Sequence, residues 1–183
     1  MPITNYMSWS GGFDLVAVTE GAEAPNIIVH VAEMVHTPVG SAPSGMILVQ
    51  RDAGAPPELM GFISTDLEVA NYFGPNIFKG TPFEAAPALE ATIAISKGEN
   101  SLSAKVVVGD HTVEATIGAL GSLDHHSRQA SEQTPFSQEV LESIGTEVSL
   151  SINGEDVAVS LPPVGISGGA PAVSSPAGIY SRS

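Results

Sequence analysis

The residues able to do chemistry in this chain are few. They are one lysine in an aromatic loop, five histidines, a carboxylate inside an apolar run and a serine among glycines. Lys79 is one of three lysines and lies in YFGPNIFKGTPF, between Tyr72, Phe73, Phe78 and Phe83. An ammonium hemmed in by aromatic side chains loses hydration and its pKa falls. The free amine is then a nucleophile able to form a Schiff base with a carbonyl. The plainer alternative is a lysine whose stem lies on the loop while its amine reaches water.

The segment NIIVHVAEMVH, residues 26–36, holds His30, Glu33 and His36 among Ile and Val. As a strand it puts both histidines on the face of Ile28, Ala32 and Met34, with Glu33 opposite. At about 3.3 Å per residue the imidazoles stand roughly 20 Å apart, too far for one metal ion. Each is expected to be a core histidine satisfied by a hydrogen bond. Glu33 would carry a raised pKa inside a barrel and an ordinary one facing solvent. Asp124-His125-His126 reads as a solvated loop, because adjacent histidines need distant ligands to hold an ion. No metal site and no cofactor are expected. Gly165-Ile166-Ser167-Gly168-Gly169 resembles the nucleophile loop of chymotrypsin-like proteases. Only 14 residues follow it and no Ala-Ala-His motif precedes it, so the protease reading is set aside.

Composition narrows the classes further. The chain has 183 residues, enough for one domain with a real core. Charged residues are 14% of the chain, well below the roughly 25% of ordinary soluble domains. Six basic and 20 acidic residues give a net charge of −14, which repels phosphate backbones and anionic lipid. Nucleic-acid and membrane partners are therefore not expected. Cysteine is absent, which removes disulfides, thiolate nucleophiles and Cys-ligated metals. The N-terminus shows no basic segment followed by an apolar run, and no run approaches membrane-spanning length, so the expected location is cytoplasmic. A homo-oligomer is expected.

The elements that must position these residues read mostly as strands, from period-two apolar patterns rich in β-branched residues. They cover 13–20, 26–36, 45–51, 59–64, 88–97, 101–108, 111–119, 147–153 and 156–161. Gly109-Asp110 suits a type II′ hairpin turn, which pairs Val108 with His111, Val106 with Val113, Ala104 with Ala115 and Leu102 with Ile117. The other face pairs Lys105 with Glu114 and Ser103 with Thr116. Asn153-Gly154 suits a type I′ turn, pairing Leu150 with Val157 and Val148 with Val159. Two short helices are expected. One starts at the capping box Thr65-Asp66-Leu67-Glu68 and stops at Gly74-Pro75. The other is QEVLESI, capped by Ser137 and stapled by Phe136 and Leu141. Residues 1–163 form one domain, and 164–183, rich in Gly, Ser, Ala and Pro, read as a tail, flexible or pinned down. Many short antiparallel strands with two small helices imply a barrel or sandwich.

GFISTDLEVANYFGPNIFKG, then ALEATIAI, then LSAKVVVGDHTVEATIGAL resembles the acetoacetate decarboxylase-like superfamily. There a strand leads to an Asp-containing helix start, an aromatic-Gly-Phe-Pro-Lys-Lys loop and a hairpin ending in an Ala-Thr-Met-Gly-like run. The likeness spans about residues 45–120. It implies an antiparallel β-barrel around a cavity, binding a small oxo compound or keto acid by Schiff-base lyase chemistry of decarboxylase or aldolase type. In that reading Lys79 is the nucleophile, Glu33 a general acid or base and Arg51 a carboxylate clamp. Tyr72, Phe73, Phe78, Phe83 and His30 then line the substrate site. The chain departs from the pattern where the paired lysines would fall, near Asn76 and Ile77, and where the catalytic Glu would fall, near Ser44 and Gly45. A non-catalytic small-ligand-binding barrel and a structural interaction module are the alternatives.

Overall fold

The computed structural model describes residues 5–183; residues 1–4, the start of the segment read as lacking a leader, lie outside the described residues. The chain is mainly β, with fourteen strands in two sheets and one α-helix among the described residues. The first strands are β1 (Asn5–Thr19), β2 (Ile27–Thr37), β3 (Gly40–Val49) and β4 (Leu59–Ser64), followed by helix α1 (Leu67–Asn76). After β5 (Ala88–Glu90) come β6 (Thr92–Lys97), β7 (Ser101–Val108), β8 (His111–Gly118), β9 (Leu123–Arg128) and β10 (Ser137–Ile144). The chain closes with β11 (Glu147–Ile152), β12 (Glu155–Val157), β13 (Val159–Ser160) and β14 (Ala172–Arg182).

The larger sheet runs β5-β4-β3-β2-β1-β14-β10-β9, with β13 paired to the end of β1. The smaller runs β12-β11-β8-β7-β6. Both are open strand orders, so the strands form no closed barrel. All pairings are antiparallel except β4 with β5, which α1 connects as a parallel crossover. One core lies between the sheets, from Leu15, Ile27, Val29 and Ile47 against Val106, Ile117 and Ile152. A second lies on the far face of the large sheet, where α1 and the following loop cover Ile28, Met46, Phe62, Phe136 and Tyr180. The central strands are thus buried on both faces. Each large apolar side chain so buried contributes roughly 1.5–3 kcal/mol.

The first hairpin has the expected register from Leu102↔Ile117 to Val108↔His111. Gly109 takes φ +55° and Asp110 stays out of the left-handed region, as a II′ turn demands. Asn153 and Gly154 take φ +50° and +82°, as I′ demands. Past Leu150↔Val157, however, the second hairpin parts, and Val159 pairs with Thr19 of β1 instead of Val148.

Three other expectations are corrected. QEVLESI is not a helix but strand β10, whose alternate residues Gln138, Val140 and Glu142 are buried between β14 and β9. Pairing on both sides overrides a helix-compatible composition. The real helix is capped by Asp66, whose Oδ1 accepts from Glu68 N at 2.9 Å, rather than by Thr65, and it continues through Pro75. The Gly/Ser/Ala/Pro-rich C-terminus is no tail: β14 sits in the middle of the large sheet, between β1 and β10.

One irregularity interrupts the large sheet. In β1, Trp9 faces the helix side, yet Phe13, Leu15 and Ala17 face the small sheet. The odd-numbered residues have changed face. In β2 the same inversion separates Val31 from Val35, and in β14 the even-numbered Ala172 and Tyr180 lie in different cores. The inversion coincides with Gly11 at φ +64° and with register shifts at Ala32/Val35 and Leu141/Ser143. A kink therefore crosses the sheet. Beyond it Met34 and His36 leave the face of His30, which corrects the single-face reading of residues 26–36.

Candidate functional site

Two hollows lie back to back across this kink. Gly12 lines both, and the neighbours Ala32/Glu33, Glu142/Ser143 and Ser175/Ser174 divide between them.

The hollow on the helix side is enclosed by Trp9, Asp14, His30, Glu142 and Tyr180, among others. Register places Asp14 opposite His30 on adjacent strands, so their side chains meet. His30 Nδ1 lies 3.0 Å from Asp14 Oδ1. The contact does not have the geometry of a hydrogen bond, and neither atom has a hydrogen-bond partner among the described residues. Tyr180 stacks on the imidazole at 6.0 Å, and Trp9 meets it edge-on at 6.3 Å. Burial pulls the His30 pKa down, but the Asp14 charge and contact, with a further push from Glu142, outweigh it and leave it raised. Burial, reinforced by the Asp14 carboxylate, drives the Tyr180 phenol strongly upward, so it stays protonated. Glu142 is held by Arg128 through paired contacts of 3.3 and 3.1 Å, with His126 3.9 Å away.

This hollow measures only about 20 Å³, close to the space of a single water. Nearby hydroxyls are engaged. Ser175 Oγ donates to Leu141 O at 2.8 Å and accepts from Trp9 Nε1 at 3.2 Å, and Ser44 bonds Ala42 O and Ser64. The cluster can hold a proton and a water; it has no room for an organic substrate.

The hollow on the other face is an open cleft of about 420 Å³, within the range of small-molecule sites. Glu33 and Lys97 line it, one from each sheet. The Glu33 side chain lies over Gly11, where a Cβ would come within 2.4 Å of Oε2. Ile95, Leu102 and Leu123 supply apolar walls, and Ser143 and Ser174 supply small polar ones. Neither Glu33 nor Lys97 has an oppositely charged partner within 4 Å among the described residues. For a carboxylate that is common in so acidic a chain, but four of the six basic side chains do have a protein acceptor. Arg51 is paired with Glu58, Lys105 with Glu114 and Arg128 with Glu142, while Arg182 donates to the carbonyls of Ile77 and Lys79. Among the described residues Lys79, Lys97 and Arg182 have no carboxylate partner, and of these only the two lysines have no protein acceptor at all. A second open hollow, of about 460 Å³, lies on the outer face of the small sheet, but its one cation, Lys105, is already paired.

The residues singled out from sequence do not converge. Lys79 is exposed in the turn after α1, so nothing withdraws its amine from water. Arg51 is on the surface, with Nε donating to Glu58 at 2.7 Å, and is not free to clamp a ligand. Tyr72, Phe73 and Phe78 are buried in the helix-side core and Phe83 packs against it, so these rings are packing rather than a pocket around Lys79. Phe78 and Phe83 border a hollow of about 60 Å³ that Lys79 does not line. His30 sits in the water-sized hollow and Glu33 in the cleft on the opposite face.

The DHH motif is strand β9 rather than a loop, with His125 Nε2 2.8 Å from Glu139. Among the described residues no group of three or more His, Asp or Glu side chains could hold a metal ion. Ser167 of the glycine-rich loop is buried, its carbonyl accepting from Gln138 and its hydroxyl interacting with Tyr180. Asp14, Glu142 and Lys97 escaped sequence reading. Asp14 did carry a signal, as the lone acid in the apolar run FDLVAV. Among the described residues no helix is long and apolar enough to cross a membrane. No protein-family model matches the chain, and neither a curated protein nor a solved structure matches it.

Proposed function

We propose that this chain is a non-catalytic small-ligand-binding β-sandwich whose ligand seat is the cleft between Glu33 and Lys97. The observation that carries this reading is a pair of opposite charges, on two different sheets, facing one cleft of about 420 Å³ and without a charged partner among the described residues. An unpaired ion in water costs little, but charges at the mouth of a partly apolar hollow gain strength once a ligand displaces that water. Catalysis by a Schiff base needs a desolvated amine beside a substrate-sized chamber. Lys79 lies in solvent, and the enclosed hollow at His30 holds about one water. The reading rests on the cleft and not on resemblance to the decarboxylase superfamily.

The test is a titration of ¹⁵N-labelled protein with a panel of small amino acids, oxo acids and amines, followed by backbone chemical shifts. Shifts gathered at Gly11, Gly12, Glu33, Lys97, Ser143 and Ser174 support it. Shifts gathered elsewhere, or none across the panel, overturn it. Borohydride reduction in the presence of the oxo acids should leave Lys79 unmodified; a covalent adduct there overturns the non-catalytic assignment.

A further inference from the structure

We propose that the cleft takes a small amino acid in its zwitterionic form, the ligand's ammonium facing Glu33 and its carboxylate facing Lys97. This rests on the cleft being the ligand seat and names the chemistry it selects.

Three observations converge. First, the cleft presents one carboxylate and one ammonium, neither paired among the described residues. A ligand with a single charge satisfies one of them and leaves the other facing a desolvated neighbour. A zwitterion satisfies both and brings no net charge of its own. Second, the whole chain carries −14, so its field opposes an approaching anion such as an oxo acid, while a neutral zwitterion meets no such barrier. A simple amine is attracted by that field, but toward every acidic patch alike. Third, Ile95, Leu102 and Leu123 line the same cleft, and Leu123 is 53% exposed, so the cleft offers uncovered aliphatic surface beside the charges. A branched aliphatic ligand would cover it.

The discriminating experiment compares three molecules with one carbon skeleton: leucine, its oxo acid 4-methyl-2-oxopentanoate, and 3-methylbutylamine. Each is titrated at pH 7 and low salt, with affinities taken from cleft-residue chemical shifts. Leucine is expected to bind at least tenfold more tightly than either analogue. Glu33→Gln should weaken leucine at least fivefold and leave the oxo acid unchanged or tighter. Lys97→Met should weaken both acids and leave the amine unchanged. Both side chains are exposed, so both variants should unfold at the wild-type temperature. An oxo acid that binds as well as leucine overturns the zwitterion assignment while the cleft stays a ligand seat. If none of the three perturbs the cleft residues, the assignment and the ligand seat fall together.

Discussion

Replacing His30 by glutamine exposes what the buried pair contributes. His30 and Asp14 are 9% and 7% exposed, and Glu142 already has Arg128 as its partner. Among the described residues His30 is therefore the one cation directly at Asp14. His30→Gln leaves a buried carboxylate uncompensated, which should cost about 3–5 kcal/mol near pH 6. Asp14→Asn is milder, about 1–3 kcal/mol, because the imidazole can shed its proton. The double variant replaces two charges by two neutral amides and should cost about 2 kcal/mol less than the sum of the singles. The sign of the pH dependence follows from the raised His30 pKa. Stabilisation is complete below the unfolded imidazole value of about 6.5 and is lost as pH rises through the folded value. Within that window the folded state holds more protons, and stability falls by at most about 1.4 kcal/mol per pH unit. Urea unfolding of the four proteins at pH 6 and pH 8 measures all of this, and the gap between wild type and His30→Gln should narrow at pH 8. Single effects that add to within about 0.5 kcal/mol, with a gap independent of pH, would refute the coupling.

Three further outcomes follow from the same geometry. Trp9, the only tryptophan, lies 6.3 Å from the His30 ring, so its fluorescence should brighten as the quenching imidazolium deprotonates, and this titration should vanish in His30→Gln. Gly45→Ala would place a Cβ 2.0 Å from the His30 carbonyl oxygen and 2.6 Å from Val31 Cα, backbone atoms of a central strand; urea unfolding should show a loss of about 3 kcal/mol or more. Ending the chain at Pro171 removes β14 from the centre of the large sheet, and a thermal melt should then lose its cooperative transition. A sharp transition in that shortened chain would restore the tail reading.

Much of the architecture was legible because local rules carried it. The hairpin from Ser101 to Gly118 has alternating faces and a turn dipeptide that together determine its register. LMGFIS could be read to its ends as a short apolar run, buried at all but one position. The rest depended on partners far along the chain. QEVLESI suits a helix as well as a strand, and only pairing with β9 and β14 decides. Ala172–Arg182 looks like a linker until strands on either side pair with it. The site was harder still. Period-two counting already sets Glu33 opposite His30, but it assumes unbroken alternation, and the kink at Gly11 inverts it beyond Glu33, moving Met34 and His36 off the face of His30. The aromatic residues around Lys79 are adjacent in sequence, yet they fold inward as core while the amine turns outward. Lys97 had no local signal, since its meaning comes from a carboxylate on the other sheet.

The account turns on which unpaired lysine meets a ligand, and competitive acetylation measures that directly. Lys79 and Lys97 are both exposed and both lack a carboxylate partner among the described residues, so each serves as a control for the other. Their acetylation rates would be followed by peptide mass spectrometry over a leucine concentration series. The account predicts that leucine slows modification of Lys97 in a saturable way and leaves Lys79 unchanged. Protection of Lys79, or equal rates at both lysines throughout the series, would contradict it.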